Sequence, residues 1–127
     1  GAKVIMIEPT NTPFSRLIFK HIHHEQFDEK KDSWQVNGKG RMADANLAMP
    51  WAIFSRDKKK FLVKYPDLEI IQNNKHTPFR WFLSGGMAYR QFVPSASFGF
   101  FTNIERILSP FHNMLGSFMT IVVKKSE

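Results

Sequence analysis

The sequence predicts a single α/β domain in which a strand, two helical segments and a later pair of strands pack around one core. The first observation is a nearly continuous apolar run at Lys3–Glu8, which is typical of a strand buried on both faces in a parallel sheet. The second is the helical pattern that follows this run. The third is a pair of short apolar runs, Leu68–Gln72 and Phe118–Val123, which predict two strands that pair with each other.

The first helix is predicted to begin after Thr12. A threonine side chain can accept a hydrogen bond from a free backbone N–H, and Pro13 suits the first helical position. Apolar side chains then recur at helical spacing, and they are Phe14, Leu17, Ile18 and Ile22. The polar stretch from Glu25 to Met42, which contains Gly38 and Gly40, is expected to be a long, mobile loop.

A second helix is predicted over Ala45–Tyr65, with a break at Pro50. Its apolar side consists of Trp51, Phe54, Phe61, Leu62 and Tyr65. Its basic side consists of Arg56, Lys58, Lys59, Lys60 and Lys64, and it indicates a solvated helix face, with an acidic partner as the alternative. The formal charge of the chain is +7, but nucleic acid is disfavoured as a partner because no aromatic residues interleave with the basic ones in a recognisable motif.

The stretch from Trp81 to Val123 carries only three charged residues, Arg90, Glu105 and Arg106. A helix is predicted within it, followed by a short turn from Pro110 to Gly116. The apolar residues of that helix are Phe98, Phe101, Ile104 and Leu108. Proline and glycine interrupt the stretch too often for a membrane span. Its apolar surface needs cover, so we expect core packing or a dimer interface, with a membrane surface as the alternative.

The chain contains no cysteine, which excludes disulfides, thiolate metal sites and a cysteine nucleophile. The sequence also opens without the basic and apolar pattern of a secretory leader. Together these features favour a cytoplasmic protein, with a membrane-peripheral position as the alternative.

The order of the elements and several short motifs resemble the C-terminal part of class I S-adenosylmethionine-dependent methyltransferases, in particular the type 11 group. The run Val4–Pro9 is similar to the family's fifth strand, which ends in an acidic residue and a turn former. Trp51–Ile70 resembles the next helix and the sixth strand, and Phe118–Lys124 resembles the seventh, antiparallel strand. Further similar motifs are Asn11–Arg16, His23–Glu25 with Phe27 and Asp28, His76–Phe79 and Leu83–Gly86.

This resemblance implies a partial Rossmann-like sheet over residues 2–127, equivalent to strands five to seven of the family fold, with an antiparallel strand pair and helical insertions. In the family, a Gly-rich loop after the first strand and an acidic residue ending the second strand hold S-adenosylmethionine. Neither pattern is found in this sequence, because Gly38-Lys39-Gly40 and Gly85-Gly86 do not follow an apolar strand. The complete family fold therefore uses S-adenosylmethionine, and no cofactor is expected to bind this chain alone.

The implied function is that of the acceptor-substrate half of a methyltransferase acting on a small-molecule, lipid or glycan acceptor and inactive by itself. The alternative is a non-catalytic module for self-association or membrane docking. A truncated sheet would leave Val4–Ile7 as an exposed apolar edge, so we expect a homo-oligomer.

Glu8 is the leading candidate for a substrate-binding residue, because ligands of open α/β sheets bind at the carboxyl ends of strands. Asn11 and Arg16 could hydrogen-bond a polar substrate, and His76 is the second candidate for a general base. Each has a structural alternative: Glu8 and Asn11 could fix the turn before the helix, and His76 could be a satisfied structural histidine.

Two further groups complete the candidate site. His23, His24 and Glu25 could form a polar loop lip near the substrate, or the histidines could favour a helix end. With His21 they invite a metal interpretation, but neighbouring helical residues point about 100° apart, so no metal site is predicted. Phe98 and Phe101 are expected to line a pocket for an apolar or lipid-like acceptor.

Overall fold

The fold is mixed α/β, and the computed structural model describes residues 1–22, 26–36, 38, 45–86 and 90–126. Its strands are β1 (Lys3–Pro9), β2 (Leu68–His76) and β3 (Phe118–Lys125). Its α-helices are α1 (Pro13–His21), α2 (Met49–Trp51), α3 (Lys58–Lys64), α4 (Arg80–Leu83), α5 (Phe98–Ile107) and α6 (His112–Leu115). A π-helical turn at Ala52–Arg56 joins α2 to α3, and 3-10 turns at Ser95–Ser97 and Ser109–Phe111 precede α5 and α6.

Within the described residues, the strands form one sheet in the order β1-β3-β2, and β3 runs antiparallel to both neighbours. The strands β1 and β2 therefore run parallel to each other on either side of β3. The predicted pairing of the second and third strands is confirmed. The pairing extends to His76, beyond the predicted end at Gln72, and a bulge between Ile70 and Gln72 shifts its register.

The prediction that the first strand is buried on both faces in a parallel sheet is wrong. Strand β1 is an edge strand that pairs antiparallel with β3, and Val4, Ile5 and Ile7 are 57%, 70% and 65% exposed. A strand that is apolar on both faces has the same sequence pattern whether or not other elements pack against those faces. The expectation of an exposed apolar edge at Val4–Ile7 is thereby confirmed.

The core lies in two clusters. On one face of the sheet, Met119, Ile121 and Val123 are buried beneath the helical segment that runs from α2 to α3, with Trp51 and Phe54 against them. Near Phe118, at the start of β3, Phe19 of α1 and Phe27 pack with Ala48. Phe19 also meets the ring of Phe118 edge to face, which links the second cluster to the sheet.

The helix α1 begins where the sequence predicts, and its first turn is closed by a reciprocal pair of hydrogen bonds. Thr12 Oγ1 accepts from Ser15 N (3.0 Å), while Ser15 Oγ accepts from Thr12 N (2.8 Å). The Thr12 hydroxyl also donates to Gly116 O (2.8 Å) in the turn before β3. One side chain therefore caps the helix and fixes it to the sheet.

Replacing Thr12 with alanine is expected to lower the free energy of unfolding by about 1–2 kcal/mol, the range for losing a helix cap. The Thr12→Ser variant keeps the hydroxyl and is the matched control. Urea unfolding followed by circular dichroism measures both. Equal stability of the two variants would contradict the capping role.

The second helix begins later than predicted, at Met49 instead of Ala45, and Pro50 lies in its first turn rather than at a break. Asn46 explains the later start, because its side-chain oxygen accepts from the N–H of Ala48 (3.0 Å) and from that of Asp28 (2.9 Å). This residue forms the turn that leads into the helix and fixes the loop beside it. The loop residues 26–36 form no helix or strand.

The basic side of this helix is solvated, as predicted, since Lys58, Lys59, Lys60 and Lys64 are all exposed. The ammonium groups of Lys60 and Lys64 lie 4.9 and 5.7 Å from the ring centre of Trp34. Arg56 points inward and binds Asp57 (2.8 Å), which lowers the pKa of that carboxyl to about 2.

The segment Phe92–Met114, called the aromatic insertion below, contains the predicted helix as α5 and the predicted short turn as α6, which Gly116 ends. It follows a tight break at Gly85-Gly86. A Cβ atom at Gly86, where φ is +55°, would lie 2.8 Å from the Trp81 ring, so glycine is required there. Among the helices in the described part of the chain, none is long and apolar enough to cross a membrane.

Candidate functional site

Two strand ends meet at one edge of the sheet, and they form the frame of the candidate site. Pro9 at the end of β1 and His76 at the end of β2 both lie opposite Phe118, the first residue of β3. Because β1 and β2 run parallel, both carboxyl ends face the same way. Ligands of open α/β sheets bind at such an edge.

Backbone and hydroxyl groups of the turn before β3 join the two strand ends. Thr10 N donates to Ser117 O (3.0 Å), and Ser117 N donates to His76 O (3.1 Å). The Ser117 hydroxyl donates to Pro78 O (2.7 Å). Thr10 and Ser117 are fully buried. This edge is therefore a rigid polar layer, since each bond is shielded from water.

Thr10 contributes an unusual group to that layer. Its hydroxyl oxygen is buried and has no hydrogen-bond partner among the described residues. Leaving a buried polar group unpaired costs about 1–3 kcal/mol. Sequence reasoning did not single out Thr10, because a threonine in a turn gives no sign of whether its hydroxyl will be satisfied.

Glu8 lies at the end of β1 opposite Met119, on the sheet face that α2 and α3 cover. It is half-buried, and this burial raises the pKa of its carboxyl. Asn11 is buried, and its side-chain oxygen accepts a hydrogen bond from Arg16 Nε (3.0 Å). Asn11 and Arg16, which follow Glu8 in the sequence, are therefore hydrogen-bonded to each other.

His76 lies on the opposite face of the sheet from Glu8. Its partner in the register is Phe118, whereas that of Glu8 is Met119, and successive side chains on a strand point to opposite faces. The two candidate bases therefore do not converge on one reacting atom. They lie at the same edge of the sheet but on its two opposite faces.

The imidazole of His76 is held between two hydroxyl groups. Nδ1 lies 2.8 Å from Thr77 Oγ1, and Nε2 lies 2.9 Å from Thr120 Oγ1. Thr77 adopts a φ of +49°, a left-handed conformation that is strained for a β-branched residue. Burial lowers the pKa of His76, and the nearby His112 and Arg80 act in the same direction against Glu105. At neutral pH the ring is uncharged.

We expect the thermal stability of the protein to fall as the pH drops below the ordinary histidine pKa of 6.5. The unfolded chain then binds a proton that the folded state resists, so the contribution of neutral His76 is fully present above that pH and is lost below it. The His76→Gln variant should flatten this dependence between about pH 7.5 and 5.5 in melting experiments. An unchanged slope would contradict this assignment.

A surface cavity of about 400 Å³ lies between α4 and the aromatic insertion. Phe98 and Phe101 both line it, together with Arg80, Leu83, Val93 and Pro94. Most of this lining is apolar, and the volume is within the range of small-molecule sites, about 300–1,000 Å³. Phe98 and Phe101, which were expected to line a pocket, therefore both line this cavity. Their role in binding an acceptor stays a prediction.

Glu105 fixes the charged wall of this cavity. Its carboxylate accepts from the backbone N–H groups of Phe79 (2.9 Å) and Arg80 (2.7 Å), and it pairs with the Arg80 guanidinium. Arg80 also donates to Thr102 (3.0 Å) and lies 5.3 Å from the ring centre of Phe98. Sequence reasoning missed both charged residues. The signal was present, since Glu105 is the only acid in a long apolar stretch.

Three predicted site residues, His23, His24 and Glu25, lie outside the described residues. His21, the fourth member of that group, is exposed at the end of α1. Residues 1–22, 26–36, 38, 45–86 and 90–126 contain no group of three side chains that could hold a metal ion.

The arrangement combines an apolar cavity, a buried polar strand edge and two groups able to exchange a proton, Glu8 and His76. It can hold the apolar part of a ligand beside a fixed Arg80 guanidinium. No protein-family model, curated protein or solved structure matches this chain.

Proposed function

We propose that the chain is the acceptor-substrate half of an S-adenosylmethionine-dependent methyltransferase, acting on a small molecule or a lipid-linked acceptor. In this proposal, the chain supplies acceptor specificity and a second half supplies the cofactor. The chain alone is inactive, because its sequence lacks the glycine loop and the acidic strand end that would hold the cofactor.

The strand directions are the observation that supports this proposal most. The resemblance implies a last, seventh strand that runs antiparallel to the strands before it. Here β3 lies antiparallel between β1 and β2, which run parallel to each other. The carboxyl end of β1 also carries Glu8-Pro9, the acidic residue and turn former that the resemblance expects.

The cavity beside α5 suits an acceptor with an apolar part. Burial of apolar area against Phe98 and Phe101 would stabilise such a ligand by about 25 cal/mol per Å². Methyl transfer from the sulfonium of S-adenosylmethionine to a hydroxyl would break the S–CH3 bond, form a C–O bond and leave S-adenosylhomocysteine, and a base at the strand edge would accept the hydroxyl proton. His76 is the candidate base near the cavity: it does not line the cavity, but the charge of the wall residue Arg80 reaches it, and it would accept the proton by exchanging one of its hydrogen bonds to Thr77 or Thr120.

Cofactor binding tests the division of labour. Residues 1–127 alone should show no heat of binding and no rise in melting temperature with S-adenosylmethionine. A longer protein, called the longer product, that also includes the translated coding region upstream of Ala2 should show both the heat of binding and the rise in melting temperature. The reason is that a ligand that binds only the folded state stabilises it. Micromolar binding by residues 1–127 alone, or no binding by the longer product, would contradict the proposal.

Acceptor use tests the role of the cavity. In the longer product, Phe98→Ala and Phe101→Ala should weaken acceptor use more than they lower stability. Val63→Ala, an exposed apolar change on α3 far from the cavity residues in the chain, is the control. A stability loss of about 3–5 kcal/mol, typical of core phenylalanines, with unchanged acceptor kinetics would make both residues part of the core instead.

Self-association is the second candidate function, and the orientation of β1 favours it. Lys125 N donates to Ala2 O and Thr10 N donates to Ser117 O, so the even-numbered residues of this strand face β3. The N–H and C=O groups of Lys3, Ile5 and Ile7 therefore point to the free edge. A second copy pairing antiparallel about Ile5 would satisfy all of them.

Sedimentation over a range of concentrations tests this pairing. Ile5→Lys should favour the monomer, because a charge on an edge strand opposes pairing. Val63→Lys adds the same charge at an exposed site on α3 and should leave association unchanged. A wild-type chain that stays monomeric at every concentration would remove this candidate.

A further inference from the structure

The helix α5 exposes a second apolar side in addition to the one that Phe101 and Ile104 partly bury. Its acidic residue, Glu105, is 3% exposed and faces the protein, whereas Phe100 and Ile107 are 63% and 75% exposed. Phe100 and Ile107 are seven residues apart, so they lie two turns apart on one face. A surface helix of a globular protein normally places its apolar stripe toward the core.

The rest of the aromatic insertion exposes further apolar side chains. Phe92 precedes α5, Phe98 begins it, and Phe111 and Met114 follow it, and all four side chains are more than half exposed. Exposed apolar residues that cluster in one segment mark an interaction site, whereas isolated ones do not.

The exposed formal charges of this region all have one sign. Between residues 90 and 123 the charged residues are Arg90, Glu105 and Arg106. Both arginines are exposed, while the single carboxylate is buried against Arg80. The aromatic insertion itself therefore exposes one charge, that of Arg106, and Arg90 adds a second positive charge just before it.

We propose that the aromatic insertion docks on the surface of an anionic lipid bilayer. Exposed Phe and Ile side chains enter the boundary between headgroups and acyl chains, and Arg90 and Arg106 lie against the anionic headgroups. A second copy seated on the same surface would bring arginines of like charge together, which disfavours that occupant. This inference needs neither cofactor nor methyl transfer, so it does not rest on the proposed function.

Vesicle flotation without S-adenosylmethionine tests the docking. The chain should float with vesicles of phosphatidylcholine and phosphatidylglycerol, and much less with phosphatidylcholine alone. The double variant Phe100→Ser and Ile107→Ser should reduce partitioning by about ten-fold or more for each side chain removed from the bilayer. Both side chains are exposed, so the melting temperature of the variant should match that of the wild type.

Two control variants separate the parts of the proposal. Val63→Ser removes an exposed apolar side chain of α3, outside the insertion, and should bind vesicles like the wild type. Arg90→Gln with Arg106→Gln should weaken binding to the anionic vesicles and reduce its dependence on salt.

Failure to float with anionic vesicles would overturn the proposal, and so would equal flotation of the Phe100 and Ile107 double variant. A double variant that instead converts an oligomer to a monomer, with no vesicle binding by either protein, would assign the surface to a second copy. Equal binding to neutral and anionic vesicles would overturn the role of the arginines.

Discussion

Replacing Phe19 with alanine is expected to lower the free energy of unfolding by about 3–5 kcal/mol, the range for a buried phenylalanine. The Phe19 side chain is 1% exposed, and its ring stacks on Phe27 at 5.4 Å between centres. It also meets Phe82 and Phe118 edge to face, at 5.7 and 6.4 Å. Alanine would leave a cavity among these rings that the neighbouring elements fill only in part.

Leu17→Ala, on the same helix, is the matched control, because Leu17 is 58% exposed. Leucine and alanine have similar helix propensities, and truncating this exposed side chain opens no cavity. The change in the free energy of unfolding should therefore stay within about 0.5 kcal/mol. Chemical denaturation of both variants at equal protein concentration measures the difference. Similar stability losses would show that Phe19 does not anchor the cluster.

Replacing Glu105 with alanine is expected to lower the free energy of unfolding by about 3–5 kcal/mol, because two backbone N–H groups lose a buried acceptor and the partly exposed Arg80 guanidinium loses its counterion. The change removes the acceptor for the N–H groups of Phe79 and Arg80 as well as the partner of the Arg80 guanidinium. The carboxylate is the charged link between α4 and α5, beside the hydrogen bond of Arg80 to Thr102. Hydrogen exchange should therefore increase first across residues 79–86 and 90–115.

Glu105→Gln keeps a side-chain oxygen that can accept from both backbone N–H groups, so it should lose less stability than Glu105→Ala. Glu69→Ala removes an exposed carboxylate of β2 and serves as the control for the change in net charge. Equal stabilities of the Glu105→Ala and Glu69→Ala variants would contradict a structural role for the Glu105 carboxylate.

Local signals in the sequence predicted local structure well. Thr12 and Pro13 mark the start of α1 because capping depends on neighbours within one turn. The strand β2 was predicted too short, since Asn73, Asn74 and Lys75 have low strand propensity. Their place in the sheet is set by pairing with β3, far along the chain.

The sequence pointed to some residues of the candidate site, but not to Thr10, Arg80 or Glu105, and it did not predict how the residues are arranged. Glu8 was identified from its place at the end of an apolar run and His76 from its chemistry as a base, yet the register puts them on opposite sheet faces. The salt bridge of Glu105 with Arg80 joins residues 25 positions apart, and such long-range contacts leave no periodic pattern in the sequence. The resemblance to methyltransferases stays a prediction.

The middle position of β3 also governs how the chain can be completed on a ribosome. Neither β1 nor β2 has its neighbour in the sheet until β3, the last strand in sequence, has been made. Thr12, just after β1, precedes its hydrogen-bond partner Gly116 by 104 residues, which corresponds to roughly 5–20 seconds of synthesis. During that time the apolar β1 strand is open to chaperones and to neighbouring nascent chains. Loss of the final strand by premature termination would leave both remaining strands without a partner in the sheet.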